Sequence, residues 1–433
     1  MAHDTPQWLK SAALYQIYIR NFTREGTFAS AVERLSQVRD LGFDIICLTP
    51  IHPIGSLARK GRLGSPYSIR DYRAVDPALG TMEDLRRFLA AAHALGLKVL
   101  MDVVFNHTSR DSVLLQQHPQ WFLKDPSGNP MCKVADWSDV SDLDHSHADL
   151  RDYLIQTLAG WVKEGFDGFR CDVAALVPLE FWRAARAELS SLKPLVWLAE
   201  SVEPSFVKHM RDGGWYAASD PELHQAFDVT YEYDGFEYLK AYFRGEQSLD
   251  SYIRHISNQE TLFPANSVKA RFLENHDQPR AAAVLGSIDR LLNWTVFSQF
   301  LPGLIFVYMG QERAIDKRPD LFDSDPVAWD QGSDEFQSRF GTVLAACKKI
   351  KEGTRIFTLR QVAAGVFALQ WQEQARRRAY TALVNLEQRF GEMSLPFPLK
   401  GKDVLSGAAV DLDGGPRAHP VRIPGTPLIV EET

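Results

Sequence analysis

Residues 163–178 read "KEGFDGFRCDVAALVP", in which the stretch from Gly168 onward is apolar but for one arginine and one aspartate set two apart. Alternate side chains of a strand face the same way, so Arg170 and Asp172 are expected on one side and Phe169, Cys171 and Val173 on the other. Two charges that share an interior suit either a structural ion pair or an activated carboxylate held by a guanidinium. What surrounds the run decides what kind of interior this is.

Outward from it, strand-like runs alternate with helix-period segments up to about residue 350. The strand candidates are "ALYQIYIRNF", "FDIICLTPI", "KVLMDVVFNH", "GFDGFRCDVAA", "PLVWLAES", "AFDVTYEYD", "VKARFLENHD" and "GLIFVYMGQE". Between the first two, "FASAVERLSQVRDLG" sets Phe28, Val32, Leu35 and Val38 at helical spacing and ends on a glycine. "TMEDLRRFLAAAHALG" repeats this design before the third. Eight such units predict an α/β fold, a (β/α)8 TIM barrel with its chemistry at the C-terminal ends of the strands. An open doubly wound sheet is the runner-up, but no GxGxxG follows the first strand. Beyond about residue 355, "GVFALQWQ", "AYTALVNLE" and short runs parted by Gly and Pro predict a small antiparallel β domain.

With 433 residues, 45% hydrophobic and 24% charged, the chain has room for a large domain and a smaller one. Its net charge of −7 and scattered basic residues exclude a nucleic-acid footprint and favour a neutral substrate. Cys47, Cys132, Cys171 and Cys347 make no metal-binding pattern, and Cys47 and Cys171 read as buried free thiols. The start "MAHDTPQWLKSAALYQ" lacks signal-peptide features, and no run of 18 apolar residues occurs. A cytoplasmic location without a membrane partner is the expectation; oligomeric state is left open.

Polar residues gather where the strands end: "DVVFNH", "FRCDV", "LAES" and "LENHD". Asp172, Glu200 and Asp277 stand out, although any one of them alone could be a helix cap or turn residue. Two carboxylates flanking a bond meet the requirement of glycoside hydrolysis. Arg170 beside Asp172 is expected to keep that carboxylate ionised as a nucleophile. Glu200, near Trp197 and Leu198, is expected to hold a proton.

These segments resemble the alpha-amylase family of retaining glycoside hydrolases, family thirteen. The resemblance rests on "DVVFNH" (102–107), "GFRCDV" (168–173), "LAES" (198–201) and "ENHDQPR" (274–280), in the family's order. "LYQIYIRNF", "SPYSIRDY" and "LPGLIFVYMGQE" extend it over nearly the whole chain. It implies that Asp172 is the nucleophile, Glu200 the acid and then the base, and Asp277 the carboxylate that grips the 2- and 3-hydroxyls. It further implies that His107 and His276 bond sugar hydroxyls, Arg170 orients Asp172, Tyr67 stacks on the ring, and Asp102 is structural. With all these positions occupied, a non-catalytic carbohydrate-binding relative is disfavoured. The implied domains are a barrel over 1–107 and 149–354, a short B domain over 108–148 and a C-terminal β-sandwich over 355–433.

The activity implied is double-displacement cleavage of α-glucosidic bonds, most directly α-1,4, in maltodextrin-like oligosaccharides. A transglycosylase or isomerase with the same first step, or an α-1,6-glucosidase, is the alternative. "VSDLDH" (140–145) departs from the family's "QPDLN" and "MPKLN", and "DVAAL" lacks the Lys-His pair common after the nucleophile. Val173 followed by Ala174 leaves the linkage open. Gly64 stands where exo-acting α-glucosidases carry an acidic residue, which favours an open cleft over a blocked pocket. No cofactor is expected and no metal-ligand set is assigned. Structural calcium is allowed but not favoured, since "NFTREGTFAS" lacks an oxygen-rich loop and Asn106 has no evident partners.

Overall fold

All eight strand candidates contribute to one closed parallel barrel in the computed structural model of the chain, which describes residues 4–352, 356–373 and 378–433. The strands are β1 (Ala13–Ile17), β2 (Ile45–Leu48), β3 (Lys98–Val103), β4 (Gly168–Cys171), β5 (Val196–Ala199), β6 (Val229–Tyr231), β7 (Val268–Arg271) and β8 (Leu304–Tyr308). They close in sequence order, with β1 pairing in parallel with both β2 and β8. Seven of the eight are buried at every position, and Lys98 at the start of β3 is the exception. A strand covered on both faces is mostly apolar, which is why these runs stand out in the sequence, and Gln16, Asp102, Arg170, Lys269 and Arg271 are among the buried polar exceptions.

Each strand is shorter than its apolar run because the run's polar end leaves the ladder. Ile19–Phe22 turns into a short helix, His107 begins a separate strand, and a helix starts at Tyr233. These departures carry the chain onto the C-terminal rim of the barrel. The expected helix over 28–42 forms as two pieces, Phe28–Val32 and Leu35–Asp40. It breaks where Arg34 N–H bonds back three residues to Ala31 O and its guanidinium lies 4.0 Å from the Trp329 ring centroid. The helix Met82–Ala94 is continuous and starts with a reciprocal capping box between Thr81 and Asp84.

After β3, His107–Ser109 pairs antiparallel with Val140–Asp142, folding the intervening segment over the rim. The C-terminal segment forms a six-stranded antiparallel sheet and a two-stranded pair, Glu392–Met393 with Val421–Arg422. The sequence boundary at 354/355 lies outside the described residues, as do residues 1–3. Trp371 Nε1–H donates to Phe300 O at 2.8 Å, and Trp294 Nε1–H to Leu386 O at 3.1 Å, fastening this sheet to the helix Ile288–Phe300. All four cysteines are free thiols; Cys47 and Cys171 are buried, and burial pushes both thiols up. Among the described residues no helix is long and apolar enough to cross a membrane.

Candidate active site

The parallel register of β3 and β4 places Asp102 directly beside Arg170. Arg170 is fully buried, and its Nη1 donates to both oxygens of Asp102 at 2.8 Å and to Asp172 Oδ1 at 2.9 Å. Its Nη2 lies 2.8 Å from Glu200 Oε1. Strand alternation therefore does turn Arg170 and Asp172 to one side, and a single guanidinium gathers three carboxylates.

Backbone from neighbouring strands holds two of them. Asp172 N–H donates to Val103 O at 2.9 Å, and Glu200 N–H to Cys171 O at 3.0 Å. Val173 then adopts φ 34° and ψ 46°, a left-handed conformation that is rare for a β-branched residue. That turn aims Val173 N–H at Glu200 Oε2, 2.8 Å away.

Across the rim, His276 Nε2 lies 2.6 Å from Tyr67 Oη and 3.0 Å from Asp277 Oδ2. Gln16 Nε2 is 3.1 Å from His276 Nδ1, and Tyr67 O–H donates to Asp102 Oδ2 at 3.0 Å. With the Tyr67 proton given to Asp102, His276 Nε2–H faces the Tyr67 and Asp277 oxygens, while Nδ1 faces the Gln16 amide. The Tyr67 and His276 rings are stacked, 5.2 Å apart. His107 is buried against Trp137, with ring centroids 5.4 Å apart, and Asn106 Nδ2 is 3.1 Å from its Nδ1. Tyr67, His107, Asp172, Glu200, His276 and Asp277 line one cavity of about 300 Å³. Arg170 lies beneath it, so the structure assembles all seven expected positions in one place.

The electrostatics depart from the sequence expectation. Burial, and next the charge of Glu200, push the Asp172 carboxyl well above its ordinary range against the pull of Arg170. Burial also raises Glu200, with Arg170 opposing and Asp277 adding to the rise. Burial pushes both carboxyls the same way, and Arg170, which reaches both, opposes the rise at each, so the expected contrast between an ionised Asp172 and a protonated Glu200 is absent. Asp277 differs: its surroundings push it up, but His276, then Arg170 and Arg318, hold it below the usual range. Its side chain is 41% exposed at the cleft mouth. Burial and the nearby Lys133 take His107 down to about 3, so it meets a ligand as a neutral imidazole.

Asn106 lies beside this site, where the family resemblance allows calcium. Lys133 Nζ donates to Asn106 Oδ1 at 2.9 Å and sits 3.7 Å from the buried Asp142 Oδ2. An ammonium thus meets the amide oxygen, and this donor set does not fit a cation that needs six or more oxygens.

Several contributors carried little sequence signal. Gln16 is a buried polar residue inside an apolar strand, a visible anomaly whose partner 260 positions away was not. Trp137, Lys60, Leu321 and Phe322 also line the cavity but lie on loops without periodicity.

Residues 16–137 and 133–349 match the family model for the alpha amylase catalytic domain. The chain belongs to the alpha-amylase family, glycoside hydrolase family 13. Its fold is very similar to an alpha-amylase from Lactobacillus plantarum, with TM-score 0.92, 35% identity, and coverage of 99% of this chain and 100% of that one. A noncanonic maltogenic alpha-amylase from Thermotoga neapolitana aligns with TM-score 0.87 and 34% identity, over 98% and 99% of the two chains. Alpha-amylase 3 of Dictyoglomus thermophilum is 25% identical over 77% of this chain and 70% of its own length. A more local likeness joins 44% of this chain to 36% of an alpha-1,4-glucan:maltose-1-phosphate maltosyltransferase from Cereibacter sphaeroides, at 35% identity. The family's catalytic barrel thus spans the site described above.

Proposed function

We propose that this family member is a retaining hydrolase of α-glucosidic bonds, most directly α-1,4 bonds in maltodextrin-like oligosaccharides. The observation that carries this reading is the single guanidinium of Arg170, which holds Asp172 and Glu200 side by side on one cavity that also contains Asp277. Retaining sites keep their two carboxyls about 5 to 5.5 Å apart, against roughly 6.5 to 9.5 Å in inverting sites, and a shared guanidinium favours the close arrangement.

In this mechanism an Asp172 carboxylate oxygen attacks the anomeric carbon while Glu200 gives its proton to the departing glycosidic oxygen. The covalent glycosyl-Asp172 ester is then opened by water, whose proton passes to Glu200. Arg170 compensates the charge that moves between the two carboxyls. Asp277, ionised at the cleft mouth, accepts bonds from the 2- and 3-hydroxyls of the sugar. Neutral His107, together with His276 and Tyr67, completes the contacts to that sugar. The raised Glu200 suits its acid step, and the proton held by the carboxyl pair must reside on Glu200 when Asp172 attacks.

The likeness to the maltosyltransferase favours a second outcome, in which a sugar hydroxyl replaces water in the second step. Timed product analysis with maltotriose separates the two: shorter sugars alone indicate hydrolysis, and early longer glucans indicate transfer. Asp172→Ala is expected to lower kcat by roughly several thousandfold or more. Unchanged cleavage of every α-glucoside tried in that variant would remove Asp172 from the nucleophile's role.

A further inference from the structure

With Glu200 as the proposed acid, the hydrolase reading orients a substrate on the barrel ring. Glu200 follows β5, and the bond it protonates carries the leaving group on its side of the site. β1 stands opposite β5 in the ring, flanked by β2 and β8, so the retained, non-reducing part of the sugar chain lies toward the loops after β2 and β8. Those two loops are joined by backbone: Leu63 and Gly64 N–H both donate to Phe322 O at 3.0 Å.

The approach is close enough that a Cβ on Gly61, at φ +63°, would stand 2.6 Å from Phe322 Cβ. Arg62 N–H donates to Asp323 Oδ1 at 3.1 Å, and Arg20 Nη1 to Gly64 O at 3.0 Å, fixing the seam to the loop after β1. A second tie crosses to the segment folded over the rim after β3. Lys60 Nζ lies 3.1 Å from Asp139 Oδ1 and donates to Asp136 O at 2.9 Å. Lys60, Leu321 and Phe322 face the same cavity as the carboxylates.

We infer that this seam is a wall across the glycone end of the cleft, so that only the non-reducing end of an α-glucan enters and a mono- or disaccharide is released. The inference rests on the hydrolase reading above. It reverses the open cleft expected from Gly64, because the closure comes from backbone pairing and a lysine bridge and needs no acidic side chain at that position. About 300 Å³ is at the small end of ligand pockets, which suits a chain end better than a chain interior.

The test compares p-nitrophenyl maltoheptaoside with its 4,6-O-ethylidene derivative, whose non-reducing end is blocked. The expected result is cleavage of the free substrate and a rate at least a hundredfold lower on the blocked one. The Lys60→Ala/Phe322→Ala variant, altered at two half-exposed side chains, is expected to narrow that ratio at least tenfold. Comparable rates on both substrates would overturn the wall and leave the hydrolase reading standing. Failure to cleave either would overturn the hydrolase reading, and the wall with it.

Discussion

Replacing Arg170 by lysine keeps the positive charge and removes the geometry, and so tests the centre of the site. The guanidinium spans Asp102, Asp172 and Glu200 at 2.8 to 2.9 Å with no solvent exposure. A lysine ammonium is a point charge on a shorter reach and can serve about one of the three carboxylates. Losing two charge-assisted contacts at about 1.5–3 kcal/mol each predicts a stability loss of about 3–6 kcal/mol. At ~2–4 °C per kcal/mol for mid-sized domains, and less for a larger chain, Tm should fall on the order of 5–10 °C. The two carboxyls also lose their fixed spacing, and kcat should fall by about 10²–10³, as when one preorganised donor is removed from an active site. Thermal melts read alongside initial rates on maltotriose make the assay. A Tm within about 1 °C of the parent, which at this scale is roughly 0.6 kcal/mol, would refute the three-way clamp.

Two further outcomes follow from buried groups around the site. His52 is packed against Tyr72 and Trp161, bonds to Ala74 O at 2.9 Å, and is pushed down by burial from 6.5 to about 4. Below pH 6.5 the unfolded chain takes up this proton before the native state does, so the residue's contribution is full above 6.5 and is lost as pH falls toward 4. At about 1.4 kcal/mol per pH unit the loss is ~3 kcal/mol. The stability difference between parent and His52→Gln, from urea midpoints, should shrink by that amount between pH 7 and pH 4, and a pH-independent difference would contradict it. Lys133→Met leaves Asp142 buried beside Asn106 without its ammonium and should cost toward the low end of the ~3–5 kcal/mol typical of a broken buried pair, since the separation is 3.7 Å. EDTA should leave the melting of the parent unchanged, and a chelator-sensitive Tm would show that a metal competes with Lys133.

The barrel was readable because a parallel strand buried on both faces is mostly apolar, as in "LIFVY" or "VWLA". Strand ends were overextended for the same reason: "IYIRNF" stays apolar through Ile19 and Phe22, which bury themselves from a helix instead. Six of the seven site positions were legible as motif residues in or at the ends of strands, and Tyr67 through the resemblance of the loop after the second strand. The contact of Arg170 with Asp172 was expected, but its reach to Asp102 and Glu200 was not, because that depends on the positions of β3 and β5 relative to β4, which no local pattern in "GFRCDV" encodes. The charge contrast expected between Asp172 and Glu200 is lost to their shared burial, which lifts both carboxyls against the pull of Arg170. Lys133 with Asn106, and Gly64 with Phe322, meet through loops without periodicity, where only the folded chain brings the partners together.

Double displacement requires Asp172 to form a covalent bond to the sugar. Incubating the protein with 5-fluoro-α-D-glucosyl fluoride, followed by peptide mass spectrometry, tests it most directly. The expected result is one fluoroglucosyl adduct per chain, on the peptide that contains Asp172, and its slow loss in buffer. An adduct on Glu200 or Asp277, or steady turnover of the reagent with no adduct at all, would contradict it.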